Sequence, residues 1–252
     1  MGLESAQSLA LWAAFWAAVL SFRRCASEPA GALRFVLALV CGAVFAHVGW
    51  ALLHLPRVSR HPAILLDASR GFTLLTVPLG VLLAIPWRRS RGDRYRFLAS
   101  ALRALPLAFA VAKLGCLAAG CCRGLPMDRF WGVVSASTPP LHPTVLYEAA
   151  GFTLLHAALR HRSDAWVAPV FAFGFGAIRL SVEPLRAPPP LGEPAIPVAV
   201  LAGAWLVASL LLGGCVSFEA TSRLRRRMRG LPRFEERVRV QERETVPGQQ
   251  RV

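Results

Sequence analysis

Residues 98–119 read LASALRALPLAFAVAKLGCLAA, and this stretch decides the fold. A run of about 20 mainly apolar residues has the length that an α-helix needs to cross a bilayer. The run also contains Lys113, the only lysine in the sequence. Because a charged side chain inside an apolar span is costly, Lys113 marks a candidate functional site.

The composition extends this interpretation to the whole chain. Of its 252 residues, 55% are hydrophobic and only 17% are charged, whereas soluble domains carry about 25% charged residues. The net charge of +15 would also suit a protein that binds nucleic acid. The arginines, however, lie between apolar runs and near the end of the chain, which fits the positive-inside rule better. We therefore predict an all-α polytopic membrane protein that does not bind nucleic acid.

Apolar segments recur along the chain and predict about seven transmembrane helices, since helices satisfy their own backbone hydrogen bonds in lipid. The segments are Leu9–Phe22, Leu33–Leu55, Phe72–Trp87, Leu98–Ala119, Pro143–Leu159, Trp166–Leu180 and Ala195–Val216. The distribution of arginine favours an N-terminus outside and a C-terminus inside.

Two parts follow from this pattern. Residues 1–216 are predicted to form the seven-span transmembrane domain, and residues 217–252 a basic cytoplasmic tail that is helical and then disordered. The basic cluster Arg223–Arg229 lies just after the last span, where arginines bind anionic lipid headgroups.

Charged side chains are predicted to meet at the outer membrane face. In this orientation the fourth span ends near Gly115–Gly124, and the sixth ends near Arg179. Arg179 and Glu183 share one helix face because they are four residues apart, although such a pair is also compatible with a purely structural role. The side chains expected to converge are Lys113, Arg123, His142, Arg179, Glu183 and Arg186. Arginine offers phosphate a planar fork of donors and lysine offers a point charge, so the group suits a phosphate-bearing lipid.

The same region is rich in glycine and cysteine. Gly115, Gly120 and Gly124 allow a helix or a headgroup to approach closely. The adjacent Cys121 and Cys122 are most often interpreted as two small apolar side chains. Together with Cys116 they have a spacing that is poor for a tetrahedral metal site, so no metal is predicted.

Three motifs resemble the prolipoprotein diacylglyceryl transferase family. They are Lys113-Leu114-Gly115-Cys116 with Gly120-Cys121-Cys122-Arg123-Gly124, then His142-Pro143-Thr144-Val145-Leu146-Tyr147-Glu148, then Arg179-Leu180-Ser181-Val182-Glu183-Pro184-Leu185-Arg186. The sequence departs from the family signature at four positions. Lys113 stands where the family has arginine, Cys116 and Ala119 where it has asparagine, and Cys121 where it has glutamate. The chain thus resembles a divergent, Gly-Cys-Cys branch.

The resemblance implies a reaction in a bacterial plasma (inner) membrane, at a site facing the outer leaflet. A diacylglyceryl group moves from phosphatidylglycerol to the lipobox cysteine of a prolipoprotein signal peptide, and glycerol phosphate leaves; no cofactor is implied. The implied catalytic residues are Arg179, Glu183 and His142. The implied substrate-binding residues are Lys113, Arg123, Gly115, Gly120, Gly124, Tyr147 and Glu148.

Other functions remain open. The substituted signature favours a non-catalytic or altered-substrate phospholipid-binding relative. Cys116, Cys121 and Cys122 are the feature that would support a membrane thiol or metal protein. A transporter is a further alternative, although the sequence shows no inverted repeat.

Overall fold

A computed structural model describes residues 3–25, 30–66, 73–83, 90–128, 130–135, 138–187, 198, 200 and 202–213. The chain divides into one compact unit, Met1–Leu212, and a second, Gly213–Val252. Only Gly213 of the second unit is described, so the predicted tail, with its basic cluster, lies outside the described residues.

The described part is helical, as the sequence predicts. Its α-helices are α1 (Leu3–Cys25), α2 (Ala30–Leu53), α3 (Leu55–Arg60), α4 (Val77–Leu83), α5 (Arg91–Ala118), α6 (Thr144–Arg160), α7 (Asp164–Val182) and α8 (Ala202–Gly213). Short 3-10 helices cover Pro62–Leu66, Leu74–Thr76 and Glu183–Leu185. The strands β1 (Val133–Ser135) and β2 (Thr138–Leu141) pair antiparallel, with Val133 opposite Leu141 and Ser135 opposite Thr138.

Each predicted apolar segment contains helix, but the bounds differ for physical reasons. Helix α5 begins at Arg91, before the predicted Leu98, because Ser90 caps it: the Ser90 hydroxyl accepts a hydrogen bond from the Asp93 backbone N–H at 3.2 Å. This first part of α5 is polar, and an apolar run does not reveal it. The third segment is interrupted, with a 3-10 turn followed by the short α4.

The outside of the bundle is apolar, as lipid contact requires. Large apolar side chains such as Trp12, Leu33, Leu154 and Leu210 are more than half exposed. Such an extensive exposed apolar surface is rare on soluble proteins. Within the described residues, three helices are long and apolar enough to cross a bilayer, namely Gly31–Leu53, Gly92–Ala118 and Asp164–Leu185. The chain is therefore an all-α membrane protein.

Helix α5 is central in the described part and packs against α1, α6 and α7. Aromatic rings fill the contact with the last two: Phe109 of α5, Phe152 of α6 and Phe175 of α7 have ring centroids 5.4 to 5.8 Å apart. Ring pairs at this separation add to the stabilisation that burial alone provides. This aromatic cluster brings the three helices together, and therefore the polar residues near their ends.

Backbone hydrogen bonds connect the segment after α5, the segment before α6 and the segment after α7. Residues 123–127 run between the β2 strand and the segment after α7. The Leu125 N–H donates to the Leu185 carbonyl at 2.8 Å, and the His142 N–H donates to the Leu125 carbonyl at 2.9 Å. On the same segment, Ala187 N–H donates to the Arg123 carbonyl at 3.0 Å. These bonds hold the end of α5, the start of α6 and the end of α7 in one fixed arrangement.

Candidate functional site

Glu148 is the centre of the candidate site. It lies in the second turn of α6, and its side chain is 0% exposed. One carboxylate oxygen, Oε2, lies 2.6 Å from Lys113 Nζ. The other, Oε1, accepts a hydrogen bond from an Arg179 Nη and lies 3.5 Å from an Arg186 Nη. A buried carboxylate stays charged only when it is paired in this way.

The three cations reach Glu148 from different elements. Lys113 lies near the end of α5, Arg179 in the last turn of α7, and Arg186 just after the 3-10 helix. Lys113 and Arg179 are almost fully buried, at 5% and 6% exposed. The span topology predicted from the sequence leads to this convergence for Lys113, Arg179 and Arg186. We refer to Lys113, Glu148, Arg179, Glu183 and Arg186 as the cation cluster.

Glu183 is the second carboxylate of the cation cluster. Its Oε2 accepts a hydrogen bond from the other Arg179 Nη at 2.8 Å, so the predicted pair with Arg179 is present. Its side chain is 28% exposed, which makes it more accessible than Glu148. The formal charges of the cluster, three cations and two carboxylates, leave a surplus of one positive charge. An anionic ligand would therefore find a favourable potential.

The other predicted polar residues lie around this cluster. Tyr147 accepts a hydrogen bond from Trp131 Nε1 at 3.2 Å, and its ring is 6.4 Å from that of His142, centroid to centroid. The buried His142 Nδ1 has no hydrogen-bond partner among the described residues. Arg123 is exposed and donates to the Gly120 carbonyl at 3.3 Å. The described contact of its side chain is thus a local one and does not connect it to Glu148.

The three predicted glycines have different surroundings. A side chain at Gly124 would overlap the carbonyl oxygen of His142, so glycine lets the two backbones approach. Gly120 adopts a φ of +64°, a left-handed conformation that favours glycine. Gly115 faces Ala10 of α1, so it serves the packing of α1 against α5.

Cys116, Cys121 and Cys122 form a three-thiol cluster at the end of α5. Their Sγ atoms all lie within 4.8 Å of one another. The chain turns back there because Gly120 and Cys122 both have positive φ, +64° and +59°. Hydrogen bonds from the thiols of Cys116 and Cys121 hold the pKa of the Cys122 thiol below its ordinary value, and Lys113 acts in the same direction.

This cluster is the part of the site that spacing along the sequence does not reveal. A left-handed conformation at a residue other than glycine is uncommon and tends to occur at functional sites. The Thr144 hydroxyl of α6 supports the turn by donating to the Cys122 carbonyl at 2.8 Å. The signal available in the sequence is the Gly120 that precedes the cysteine pair, because glycine after a helix is a common left-handed terminator.

Comparison with known proteins agrees with the resemblance that the three motifs indicate. The sequence pattern of the family described as prolipoprotein diacylglyceryl transferase matches residues 6–218. A phosphatidylglycerol–prolipoprotein diacylglyceryl transferase of Bordetella avium (strain 197N) is 32% identical over 158 residues, which cover 57% of this chain and 58% of that protein. A protein of the same name from Clostridium tetani (strain Massachusetts / E88) is 23% identical over 167 residues, covering 61% and 67%.

Proposed function

The chain belongs to the prolipoprotein diacylglyceryl transferase family, and we propose that it transfers a diacylglyceryl group from phosphatidylglycerol to the lipobox cysteine of prolipoproteins. The observation that carries the proposal is the cation cluster around Glu148. Its surplus positive charge and its arginine forks are what a phosphate leaving group requires. The site would lie in a bacterial plasma membrane, as the family resemblance implies, and would face the outer leaflet, as the arginine distribution predicts.

The proposed step is a nucleophilic substitution. The acceptor thiol gives its proton to a base, and its sulfur forms a bond to the terminal glycerol carbon of the diacylglycerol unit. The bond between that carbon and the phosphate oxygen breaks, and the electron pair leaves on the phosphate. The products are a thioether and glycerol phosphate, so atoms and charges balance.

The cation cluster acts on the charge that develops during this step. Negative charge grows on the leaving phosphate, and donors fixed in place before the reaction stabilise it without reorganising. Arg179 and Lys113 are held in position by Glu148, and Glu183 orients the second Arg179 Nη. Arg186, which is only 3.5 Å from Glu148 and less buried, is placed to contact the phosphate first.

Two groups are candidates for the thiol base. His142 has a buried Nδ1 without a hydrogen-bond partner among the described residues. Glu183 has a partly exposed carboxylate beside Arg179. Tyr147, which accepts a hydrogen bond from Trp131, lies next to His142 and would help to fix its ring. Of the two, His142 fits the role better, because the Glu183 carboxylate is already engaged by Arg179.

A specific observation favours a second function, that of a phospholipid-binding relative with an altered substrate or without catalysis. Lys113 and Arg179 already have carboxylate partners, and the signature arginine and three signature polar residues are replaced. In this alternative the cluster binds an anionic headgroup but does not stabilise a leaving phosphate.

One complementation experiment separates the two functions. A bacterial host depleted of its own transferase expresses this chain, and a lipobox substrate is followed by mass spectrometry for the diacylglyceryl adduct. We expect an adduct that disappears with Arg179→Ala. Arg96→Ala is the matched control, because Arg96 is 68% exposed and pairs with Asp93 at the opposite end of α5. Stable membrane expression without any adduct would exclude the transferase and leave the binding function.

A further inference from the structure

We propose that Cys116, Cys121 and Cys122 form a three-thiolate site for a soft divalent metal ion, with Zn²⁺ the best match, whose fourth position takes the thiol of the acceptor. The second half of the proposal rests on the proposed function; the metal site itself does not. The three Sγ atoms already lie within 4.8 Å of one another. In a tetrahedral zinc–thiolate centre, bonds of about 2.3 Å place neighbouring sulfur atoms slightly less than 4 Å apart.

The local backbone holds the three ligands close together without a regular spacing. Cys116 lies in α5, and the left-handed conformations of Gly120 and Cys122 fold the next residues back towards it. The Cys121 Sγ lies 3.4 Å from the Cys116 carbonyl oxygen, which keeps this side chain on the helix end. Thr144 fixes the Cys122 carbonyl from α6. A site with its ligands held in this way loses little freedom when an ion binds.

The chemistry of the ligands selects the ion. Thiolates prefer soft or borderline ions such as Zn²⁺ and Cu⁺, and disfavour Mg²⁺ and Ca²⁺. A divalent ion with three thiolates carries one net negative charge. The cation cluster, to which Lys113 belongs three residues before Cys116, has one surplus positive charge. Before the acceptor binds, this match favours a divalent ion over a monovalent one, whose three-thiolate centre would carry two negative charges.

A zinc ion with three protein ligands keeps a fourth position open, as catalytic zinc sites do. A thiol that occupies this position loses its proton, because coordination deprotonates it. In the proposed reaction the acceptor thiol would bind there, and the metal would favour loss of the proton that the base accepts. Its sulfur would then form the bond to the glycerol carbon, and the electron pair of the broken bond would leave on the phosphate. The metal ion would thus activate the acceptor thiol in place of the signature residues that this chain lacks.

The test begins with metal content, which does not depend on transfer activity. The full-length chain is purified in detergent with a thiol reductant and without chelator, and zinc is measured by mass spectrometry. We expect about one zinc ion per chain. Cys122→Ser and Cys116→Ser should lose it, whereas Cys25→Ser should keep it, because Cys25 lies at the end of α1, outside the cluster. Size-exclusion elution and circular dichroism show that each variant is folded.

Acceptor binding is tested with cobalt in place of zinc. The Co²⁺-loaded protein should show a thiolate charge-transfer band, and its visible spectrum should change with a lipobox peptide but not with the same peptide carrying serine for cysteine. Folded, reduced protein that binds neither zinc nor cobalt would overturn the metal site, and so would a disulfide between Cys116 and Cys121 found in thiol-blocked membranes. A cobalt spectrum indifferent to the cysteine peptide would overturn the role in acceptor binding. None of these measurements requires the transfer reaction to occur. A failed complementation, which would contradict the proposed function, can therefore be told apart from a failure of the metal site.

Discussion

Lys113 is the residue at which the chain departs most from the signature it resembles, and its contacts explain how a lysine functions there. Its Nζ lies 2.6 Å from Glu148 Oε2, so it acts on the site as a point charge held by a carboxylate. With a lysine at this position, the guanidinium groups that remain for phosphate in the proposed function are those of Arg179 and Arg186, which belong to the third motif.

Removing the charge of Lys113 should therefore impair the reaction more than changing its shape. Lys113→Met keeps the length of the side chain but takes the cluster from one surplus positive charge to none. We expect the transfer rate to fall about 10²-fold, the effect of removing one fixed donor from a developing anion. Lys113→Arg keeps the charge and should stay within about tenfold of the unmodified chain. Rates are measured in membranes with phosphatidylglycerol and a lipobox peptide; a Lys113→Met enzyme of normal rate would show that this charge is not used.

Glu148 should contribute more to stability than any other polar residue of the cluster. Glu148→Gln leaves three cations facing one another in a buried site, and losing one partner of a buried ion pair costs about 3 kcal/mol or more. For a chain of this size, 3 kcal/mol corresponds to a thermal midpoint lower by roughly 6 to 12 °C. Glu183→Gln is the control: its side chain is 28% exposed and, among the described residues, it pairs with Arg179, which Glu148 still holds in the variant, so its cost should be clearly smaller. Thermal unfolding in detergent measures both, and equal midpoints would contradict a central role for Glu148.

The sequence reveals the residues of the site better than their connections. Lys113 and Arg179 are identified by their charge, inside an apolar span and at the end of one, whereas Glu148 is identified only through the motif resemblance. The motifs do not identify Glu148 as the centre, since its partners are distant in sequence and meet only when α5, α6 and α7 pack. The thiol cluster is hidden for another reason: it depends on a left-handed backbone at Cys122, which no hydrophobic pattern encodes.

At the scale of elements, the sequence predicts the helices but not the backbone pairing of residues 123–127 that connects their ends. Apolar runs indicate a helix wherever lipid or core surrounds the chain on all sides. The polar start of α5 and the β1–β2 hairpin lack this signal, because a cap and a few backbone hydrogen bonds determine them. The site depends on this second kind of structure, since residues 123–127 hold the ends of α5 and α7 together.

Gly124 tests how much the site depends on that connection. An alanine Cβ there would overlap the His142 carbonyl, a backbone atom that cannot move aside as a side chain end would. We expect Gly124→Ala to separate residues 123–127 from His142, lower the transfer rate at least tenfold and destabilise the protein by about 1 to 3 kcal/mol. Gly203→Ala is the control, because a Cβ at Gly203 of α8 meets nothing within 4 Å. Both variants are compared by thermal unfolding and transfer rate, and a Gly124→Ala protein equal to the control would mean that the connection tolerates displacement.

At the scale of the whole molecule, the orientation in the membrane decides whether the cation cluster can meet the proposed substrate. The ends of α5 and α7 lie on the same side of the described unit, joined by residues 123–127 and 185–187. A lipoprotein precursor presents its cysteine after crossing the membrane, so the proposed function requires this side to face outward. The reverse orientation would leave the cluster on the cytoplasmic face, where it could bind anionic lipid but not that acceptor.

The arginine distribution predicts the outward orientation, because in the predicted topology Arg88 to Arg103 precede or begin the fourth span and the arginines after Val216 follow the last span, so that both groups belong to the inner side. We expect alkaline phosphatase, which is active only after export, to be active when fused after Met127 and inactive when fused after Val252. A green fluorescent protein at Val252 should fluoresce, since it folds in the cytoplasm. Exchanging the arginines of residues 88–96 for glutamine should weaken this preference, because retention of positive charge on the inner side is its physical cause; Arg103 is left unchanged, since it pairs with Asp164 and is only 12% exposed. An active phosphatase at Val252, together with an inactive one at Met127, would place the cation cluster inside and remove the basis of the transferase while leaving the helical fold intact.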